Sequence, residues 1–146
     1  MSDASLTLAK RKAPWHLWVV AALTLLWNAS GAYTILMARA GRLSGLSADE
    51  AAYYAAQPFW FVVVSDIALF SPIAGAVALL LRHRSAVWLF GISLAAVLIT
   101  DIYDLSAGTS RALTNNVAMI VTGLITLIAL LQLLYARAMK KREVLR

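Results

Sequence analysis

The sequence contains no cysteine, only three prolines and two histidines, and charged residues make up only 14% of its 146 positions. Without cysteine there is no disulfide framework, no cysteine-ligated zinc or iron–sulfur site and no thiol nucleophile. A soluble domain carries about 25% charged residues. A soluble chain of this length also could not bury the apolar surface that 62% hydrophobic residues bring. These shortages exclude an ordinary soluble domain, a disordered tail and a collagen-like fibre.

Four apolar stretches account for most of the chain. Each has about the 20 residues that a helix needs to cross the hydrocarbon core of a bilayer. Lipid cannot satisfy exposed backbone groups, and the stretches lack the alternation of a membrane β-strand, so we expect helices. We therefore predict an all-α fold, an integral membrane four-helix bundle with spans at 15–37, 59–81, 86–105 and 112–135. This single domain, 15–135, lies between basic tails at 1–14 and 136–146.

Lysine and arginine are distributed unevenly around these spans. Ten of them lie in the two tails and the loop between the second and third spans, whereas three lie on the opposite side. The positive-inside rule then places the N and C termini in the cytoplasm. The net charge of +6 thus reflects topology, and we expect the lipid bilayer, and no nucleic acid, as its partner.

The first span allows a second interpretation. Lys10 to Lys12, the apolar run from Leu17 to Trp27 and the small residues Ala29, Ser30 and Gly31 have the layout of a cleavable signal peptide. Apolar character continues to Met37, however, and this gives the full spanning length. We therefore expect an uncleaved first helix.

The outer loop, 38–58, is the only sizeable segment between the predicted spans. Its Ser47-Ala48-Asp49-Glu50 sequence has the form of a helix capping box. We predict a short interfacial helix on the outer membrane surface, with Tyr53 and Tyr54 at headgroup level. A loop of 21 residues is too short to form a separate catalytic domain.

Polar residues within the spans are the candidates for function, because a carboxylate in lipid is costly. Helix depth allows several of them to meet in the outer half of the bundle, as a candidate polar pocket of Asn28, Asp66, Asp101, Asp104 and Asn115. The spacing of Asp101 and Asp104 puts both on one helix face. No lysine or arginine falls within the predicted spans, so we expect Asp66 to be protonated and neutral.

Two interpretations of this cluster are open. In the structural one, the amides and carboxylates satisfy one another, or Asp104 reaches outer water. In the functional one, the cluster is an outward-open pocket for a polar or cationic solute, with Asp66 as a proton or cation site.

Small residues and one proline predict how the helices pack. Pairs with small-xxx-small spacing, Ala74 with Ala78 and Gly91 with Ala95, predict close helix contact, as does a stripe of Asn115, Ala118, Thr122, Thr126 and Ala129. Pro72 interrupts the second span and frees a carbonyl near Ala68, which Ser71 could satisfy locally.

No recognisable catalytic or cofactor motif is present. The only histidines, His16 and His83, fall at the predicted cytoplasmic boundary, where a histidine needs no ligand. We find no zinc-protease motif, phosphate-binding glycine loop, dinucleotide fingerprint or nucleophile elbow. We therefore expect no enzyme, no metal and no cofactor.

Three stretches together resemble a family of small four-span bacterial membrane proteins, mostly uncharacterised, some of them loosely labelled sugar transporters. They are 26–33 (LWNASGAY), 79–82 leading into 85–87 (LLLR, SAV), and 135–146 (YARAMKKREVLR). The resemblance extends from Trp15 onward and implies a bacterial inner membrane location. Members have an apolar or small residue in place of Asp66, so the resemblance points to Asn28 for any shared role.

We expect a small transporter-like or solute-binding protein, oligomeric because one four-helix bundle scarcely encloses a translocation path. The alternative is a non-catalytic accessory or structural subunit of a larger membrane complex, with its long apolar faces as contact surfaces.

Overall fold

The computed structural model of the protein describes residues 13–107 and 116–146. This part of the chain is all-helical and contains no strand, which confirms the predicted fold class. The helices are α1 (Trp15–Arg39), α2 (Ala48–Ala55), α3 (Phe59–Leu80), α4 (Ser85–Ser106) and α5 (Asn116–Lys141). Four of them, α1, α3, α4 and α5, are long and apolar enough to cross a membrane, as in a multi-pass membrane protein.

The first two long helices, α1 and α3, begin at the predicted residues, and α4 begins one residue earlier than predicted. Pro14 and Pro58 are the N-caps of α1 and α3 and have extended backbone conformations. The first N–H groups of a helix have no intrahelical acceptor, so a proline at its start sacrifices no bond. The predicted ends are less accurate: α1 continues two residues beyond Met37, to Arg39, and α5 continues to Lys141.

The four long helices pack in the order α1, α3, α4, α5. The close backbone contacts join α1 to α3, α3 to α4, and α4 to α5. By contrast, α1 and α5 approach each other at few points within the described residues. The bundle therefore has an open side along the α1–α5 boundary.

The hydrophobic core lies towards one end of the bundle. We call this the basic end and define it by the Arg82–Arg84 turn and by residues 142–146; the opposite end, where α1 leads into α2, is the acidic end. The buried cluster at the basic end consists of Leu17, Ala21, Ala76, Ala78, Leu79, Ala86, Phe90, Leu133, Ala136, Met139, Val144 and Leu145. Side chains from all four long helices close this end.

Helices α3 and α4 approach each other closely at Gly75. A Cβ atom on Gly75 would lie 3.0 Å from the Phe90 ring, so only glycine lets the two helices approach this closely. The predicted small-residue pairs are only partly at helix contacts. Ala78 is buried and a Cβ on Gly91 would meet Leu133 of α5 at 4.0 Å, whereas Ala74 and Ala95 are exposed.

The segment that follows α5 is not the free basic tail predicted for 136–146. Val144 and Leu145 are buried in the core, and Arg146 exchanges backbone hydrogen bonds with the α3–α4 turn: its N–H donates to the Arg82 carbonyl (2.7 Å), and its carbonyl accepts from the Arg84 N–H (2.8 Å). The prediction overlooked two apolar residues among the charges, which can turn inward because this segment folds back. The basic residues of the other predicted tail, Lys10 to Lys12, lie outside the described residues.

Helices α3 and α5 end in C-caps of the same type, and these caps reverse the direction of the chain after each helix. Arg82 and Glu143 adopt left-handed backbone conformations (φ 58° and 56°) just after α3 and α5. Behind them, the N–H of His83 donates to the Ala78 carbonyl (2.7 Å) and the N–H of Val144 donates to the Met139 carbonyl (3.1 Å). This is the Schellman arrangement, in which a left-handed residue reverses the chain and satisfies the last carbonyls of a helix. The two reversed segments lie side by side and pair through their backbones.

Candidate functional site

A cavity of about 510 Å³ opens in the half of the bundle nearer the acidic end. All five helices contribute to its wall. Its polar lining residues are Asn28, Ser30, Thr34, Arg39, Tyr53, Tyr54, Gln57, Ser65, Ser93, Thr100, Asp101, Asp104 and Gln132. The volume falls within the range of about 300–1,000 Å³ that is typical of small-molecule sites.

Three of the five residues predicted for a polar pocket line this cavity. They are Asn28, Asp101 and Asp104. Asp66 is not among the lining residues but is tied to one of them, Arg39, as described below. Asn115 lies outside the described residues. Asn28, Asp101 and Asp104 therefore line one cavity, as their depths along the spans predicted.

Asp66 is ion-paired, and the expectation of a neutral, protonated Asp66 without a basic partner was wrong. The Arg39 guanidinium donates to Asp66 Oδ1, to Ser65 Oγ (2.7 Å) and, through Nε, to Gln57 Oε1 (3.2 Å). The error came from assigning Arg39 to the outer loop. Because α1 continues to Arg39, the side chain reaches across to α3, and a charged carboxylate beside a guanidinium is far more stable than an isolated one.

Asp101 accepts one hydrogen bond from a neighbouring helix. Thr126 on α5 donates to its Oδ2 at 2.7 Å and also to the Thr122 carbonyl at 3.1 Å. Oδ1 has no partner among the described residues. Thr126, one member of the predicted stripe on α5, thus contacts α4, and one oxygen of the Asp101 carboxylate stays without a partner among the described residues.

Asp104 is held by α2. The Tyr53 hydroxyl lies 3.1 Å from both carboxylate oxygens and donates to them. Burial and the nearby Asp104 charge raise the pKa of Tyr53, which keeps its hydroxyl protonated and donating at physiological pH. The capping box that starts α2 is confirmed, with the Glu50 N–H donating to Ser47 Oγ. Tyr53 and Tyr54 are half-buried and line the cavity, so α2 covers it at the acidic end.

Gln132 is a lining residue that sequence reasoning missed. Its side chain is only 9% exposed, yet it makes no hydrogen bond with any other described residue. In this part of the chain, every completely inaccessible side-chain nitrogen or oxygen has a partner. The Gln132 amide therefore keeps some accessible surface, and Gln132 lines the polar cavity. Its position ten residues after Thr122, in an otherwise apolar stretch of a span, was the available signal.

The carbonyl freed by Pro72 has a partner on another helix. Ser93 on α4, almost fully buried, donates its hydroxyl to the Ala68 carbonyl at 3.2 Å. The predicted interruption of the α3 ladder is therefore satisfied by Ser93 rather than by Ser71. Because Ala68 and Ser93 both line the cavity, this bond fixes α3 against α4 at its wall.

A second, apolar cavity of about 620 Å³ lies along the open side between α1 and α5. We call it the lateral groove; its lining residues are Val20, Leu23, Thr24, Trp27, Leu79, Phe90, Ile128, Leu131, Gln132, Leu134 and Tyr135. Near the basic end, His16 Nδ1 and the Tyr135 hydroxyl lie 2.8 Å apart and join the two helices. Trp27 is 45% exposed and lines both the polar cavity and the lateral groove.

The charges around the polar cavity favour a cation. Among the described lining residues, Arg39 is the one base, and Asp66 already neutralises it. Asp101 and Asp104 accept neutral hydroxyl bonds and have no basic partner in this part of the chain. A positively charged solute would therefore be attracted to this site and an anion repelled. The described residues include no group of three metal-ligating side chains.

Comparisons with known protein families, with curated proteins and with solved structures found no match.

Proposed function

We propose that the protein is a small transporter-like or solute-binding membrane protein whose polar cavity accepts a cationic solute. The observation that supports this most strongly is Asp101, a carboxylate on a membrane-spanning helix that lines the cavity and has one oxygen without a partner among the described residues. Ionisable groups within spans are costly, and they commonly mark solute or ion paths.

The rest of the wall fits this use. Asn28 donates its amide to the Thr24 carbonyl (2.7 Å), and its amide oxygen faces no other described partner. Gln132 adds an unbonded amide. Oxygen acceptors of this kind can replace part of the hydration shell that a cation loses on entering. The arrangement therefore provides charge from Asp101 and neutral acceptors around it.

We place the protein in a bacterial inner membrane with both termini in the cytoplasm. The positive-inside distribution supports the orientation, and the resemblance to small four-span bacterial proteins supports the membrane. In this orientation the cavity lies in the outer half. A homo-oligomer would enclose a translocation path that a single four-helix bundle scarcely encloses.

A second candidate role is that of an accessory subunit in a larger membrane complex. The lateral groove favours it, because an apolar face without a helix packed on it can receive a helix of another protein. Gentle detergent extraction would then recover the protein at fixed stoichiometry with larger partners. Recovery of the protein by itself would count against this role.

The experiment that tests the proposed function measures binding of tetramethylammonium to the purified protein in phospholipid nanodiscs, and its uptake in proteoliposomes. We expect saturable binding that Asp101→Asn weakens at least tenfold, because the substitution removes the charge while keeping the shape. Asp49→Asn is the matched control, since Asp49 is exposed on α2 and is not a lining residue.

Both variants should insert and remain monodisperse. Equal tetramethylammonium binding by Asp101→Asn and the unchanged protein would refute the cation site. Binding of tetramethylammonium without its uptake would indicate that the protein binds the solute but does not transport it.

A further inference from the structure

The polar cavity and the lateral groove adjoin each other. Trp27, Ile128 and Gln132 line both spaces. The polar cavity extends from this shared wall towards the acidic end, and the groove extends towards Tyr135 near the basic end. Together they form one elongated site with a polar, acidic head and an apolar tail.

The groove faces outward along much of its length. Leu23 is 61% exposed and Leu131 is 53% exposed, on the two helices that border the open side. Because α1 and α5 are in contact at few points, the groove opens sideways, towards the region where lipid chains would lie. A chain-like ligand can therefore lie in the groove without separating packed helices.

Gln132 lies where the two spaces meet. It is nine-tenths buried and has no hydrogen-bond partner among the described residues, which is costly in an apolar stretch unless a ligand or water bonds to the amide. An unpartnered amide at this boundary is positioned for the polar end of a molecule whose apolar end occupies the groove.

We infer, on the basis of the proposed function, that the solute is an amphiphilic cation: an ammonium head bound beside Asp101 with a single alkyl chain along the lateral groove. Charge complementarity selects the head, and the apolar groove that continues from the cavity selects the chain. A purely hydrophilic cation would leave the groove unused, and a neutral lipid chain would leave Asp101 unpaired. The ligand enters from the lipid side, between α1 and α5.

The test compares two radiolabelled probes on nanodiscs of zwitterionic phosphatidylcholine. Tetramethylammonium carries the head alone, and dodecyltrimethylammonium carries the same head with a chain. Empty nanodiscs give the amount of dodecyltrimethylammonium that simply partitions into lipid, and this amount is subtracted. Dodecylphosphocholine and dodecyl sulfate, added as competitors below their micellar concentrations, have the same chain with zwitterionic and anionic heads.

The variants separate the head from the chain. Leu131→Trp fills the groove, and Leu105→Trp is its matched control, because Leu105 is exposed and lines neither space. We expect Leu131→Trp to weaken dodecyltrimethylammonium binding at least tenfold while changing tetramethylammonium binding less than twofold. Asp101→Asn should weaken both. Leu23→Trp, across the groove, provides a second blocking variant if Leu131→Trp is not monodisperse.

The possible outcomes distinguish the two proposals. If tetramethylammonium binds and Leu131→Trp leaves dodecyltrimethylammonium binding unchanged, the inference fails and the cation site stands. If neither cation binds saturably, both proposals fail. If dodecyl sulfate or dodecylphosphocholine competes as well as the cation, the groove selects chains regardless of charge and the inference is overturned. A larger membrane protein that co-purifies and blocks the groove would also overturn it.

Discussion

The basic and acidic ends of this bundle are built from the same four long helices, yet they differ in kind. At the basic end, small and aliphatic side chains and one phenylalanine pack the four helices together, and residues 142–146 fold back onto this core. At the acidic end the helices enclose a polar cavity covered by α2. Hydrogen-bonded side chains join the helices there, including Arg39 with Asp66 and Thr126 with Asp101, together with ring contacts of Tyr103 with Trp60 and Phe61.

The difference shows how one small helical bundle can separate the packing that stabilises it from a polar cavity. Close packing of side chains is one main source of helix association when lipid surrounds the protein. The basic end supplies this packing. A polar cavity weakens packing wherever it lies, so confining it to one end leaves the other to hold the helices together. The pairing of Arg39 with Asp66 reduces the free-energy cost of taking charged groups out of water at the acidic end, because a paired charge is less destabilising than a lone one.

The largest effect should come from removing the closing residue of the basic end. Leu145 is 2% exposed in the core cluster, so Leu145→Ala should lower the free energy of unfolding by about 2–5 kcal/mol. Thermal unfolding in mild detergent measures it. Leu105→Ala, at a position 64% exposed, should change stability by less than about 0.5 kcal/mol.

This variant also tests the independence of the two ends. Folded Leu145→Ala protein should bind tetramethylammonium with unchanged affinity, since distant sites contribute additively. A parallel loss of affinity would mean that residues 142–146 control the cavity, and the separation of the two ends would not hold.

A smaller effect should follow from adding a methyl group at the α3–α4 contact. Gly75→Ala places a Cβ 3.0 Å from the Phe90 ring, and relieving this overlap should cost about 1–3 kcal/mol. Gly123→Ala on α5 is the control, because its Cβ would meet no atom of another helix within 4 Å. Chemical denaturation of both variants measures the difference, and equal stability would show that the ring moves aside freely.

The smallest effect should be confined to α2, which covers the acidic end. The Ser47 backbone N–H (2.8 Å) and hydroxyl (2.7 Å) donate to Glu50 Oε2, and they hold the pKa of Glu50 below its usual value. A lowered pKa means that the ionised group stabilises α2 above the ordinary pKa of glutamate. This contribution is lost as the pH falls through the lowered value.

Hydrogen exchange of the α2 amides, corrected for intrinsic rates, measures this loss. We expect protection to decrease a few-fold between about pH 6 and pH 3. Ser47→Ala should cost α2 about 1 kcal/mol at neutral pH and reduce the pH dependence only in part, because the backbone N–H at position 47 still donates to Glu50. Exchange in α3 and α4 should not change; a change there would show that α2 supports the bundle and does not simply cover it.

Much of the candidate site was predictable, because the depth of a residue along a span and the period of a helix depend only on the local sequence. Asp101 lies near the end of one span and Asn28 near the middle of another, and helical rise alone gives their depth. Arg39 and Gln132 are lining residues that this reasoning did not predict. Arg39 was assigned to a loop because a span was ended at its last apolar residue, although α1 runs two residues further. Gln132 was overlooked because its neighbours are apolar.

The sequence by itself determined the number of helices, their approximate lengths and the asymmetry of charge, because membrane spanning depends on runs of apolar residues and on flanking lysine and arginine. Only the tertiary structure decided which groups meet. The Arg39–Asp66 pair joins residues 27 positions apart and the Ser93–Ala68 bond joins residues 25 apart, and residues 142–146 turn inward onto the α3–α4 turn. The rotation of each helix about its axis sets such contacts, and a single sequence gives depth along a helix far better than it gives rotation.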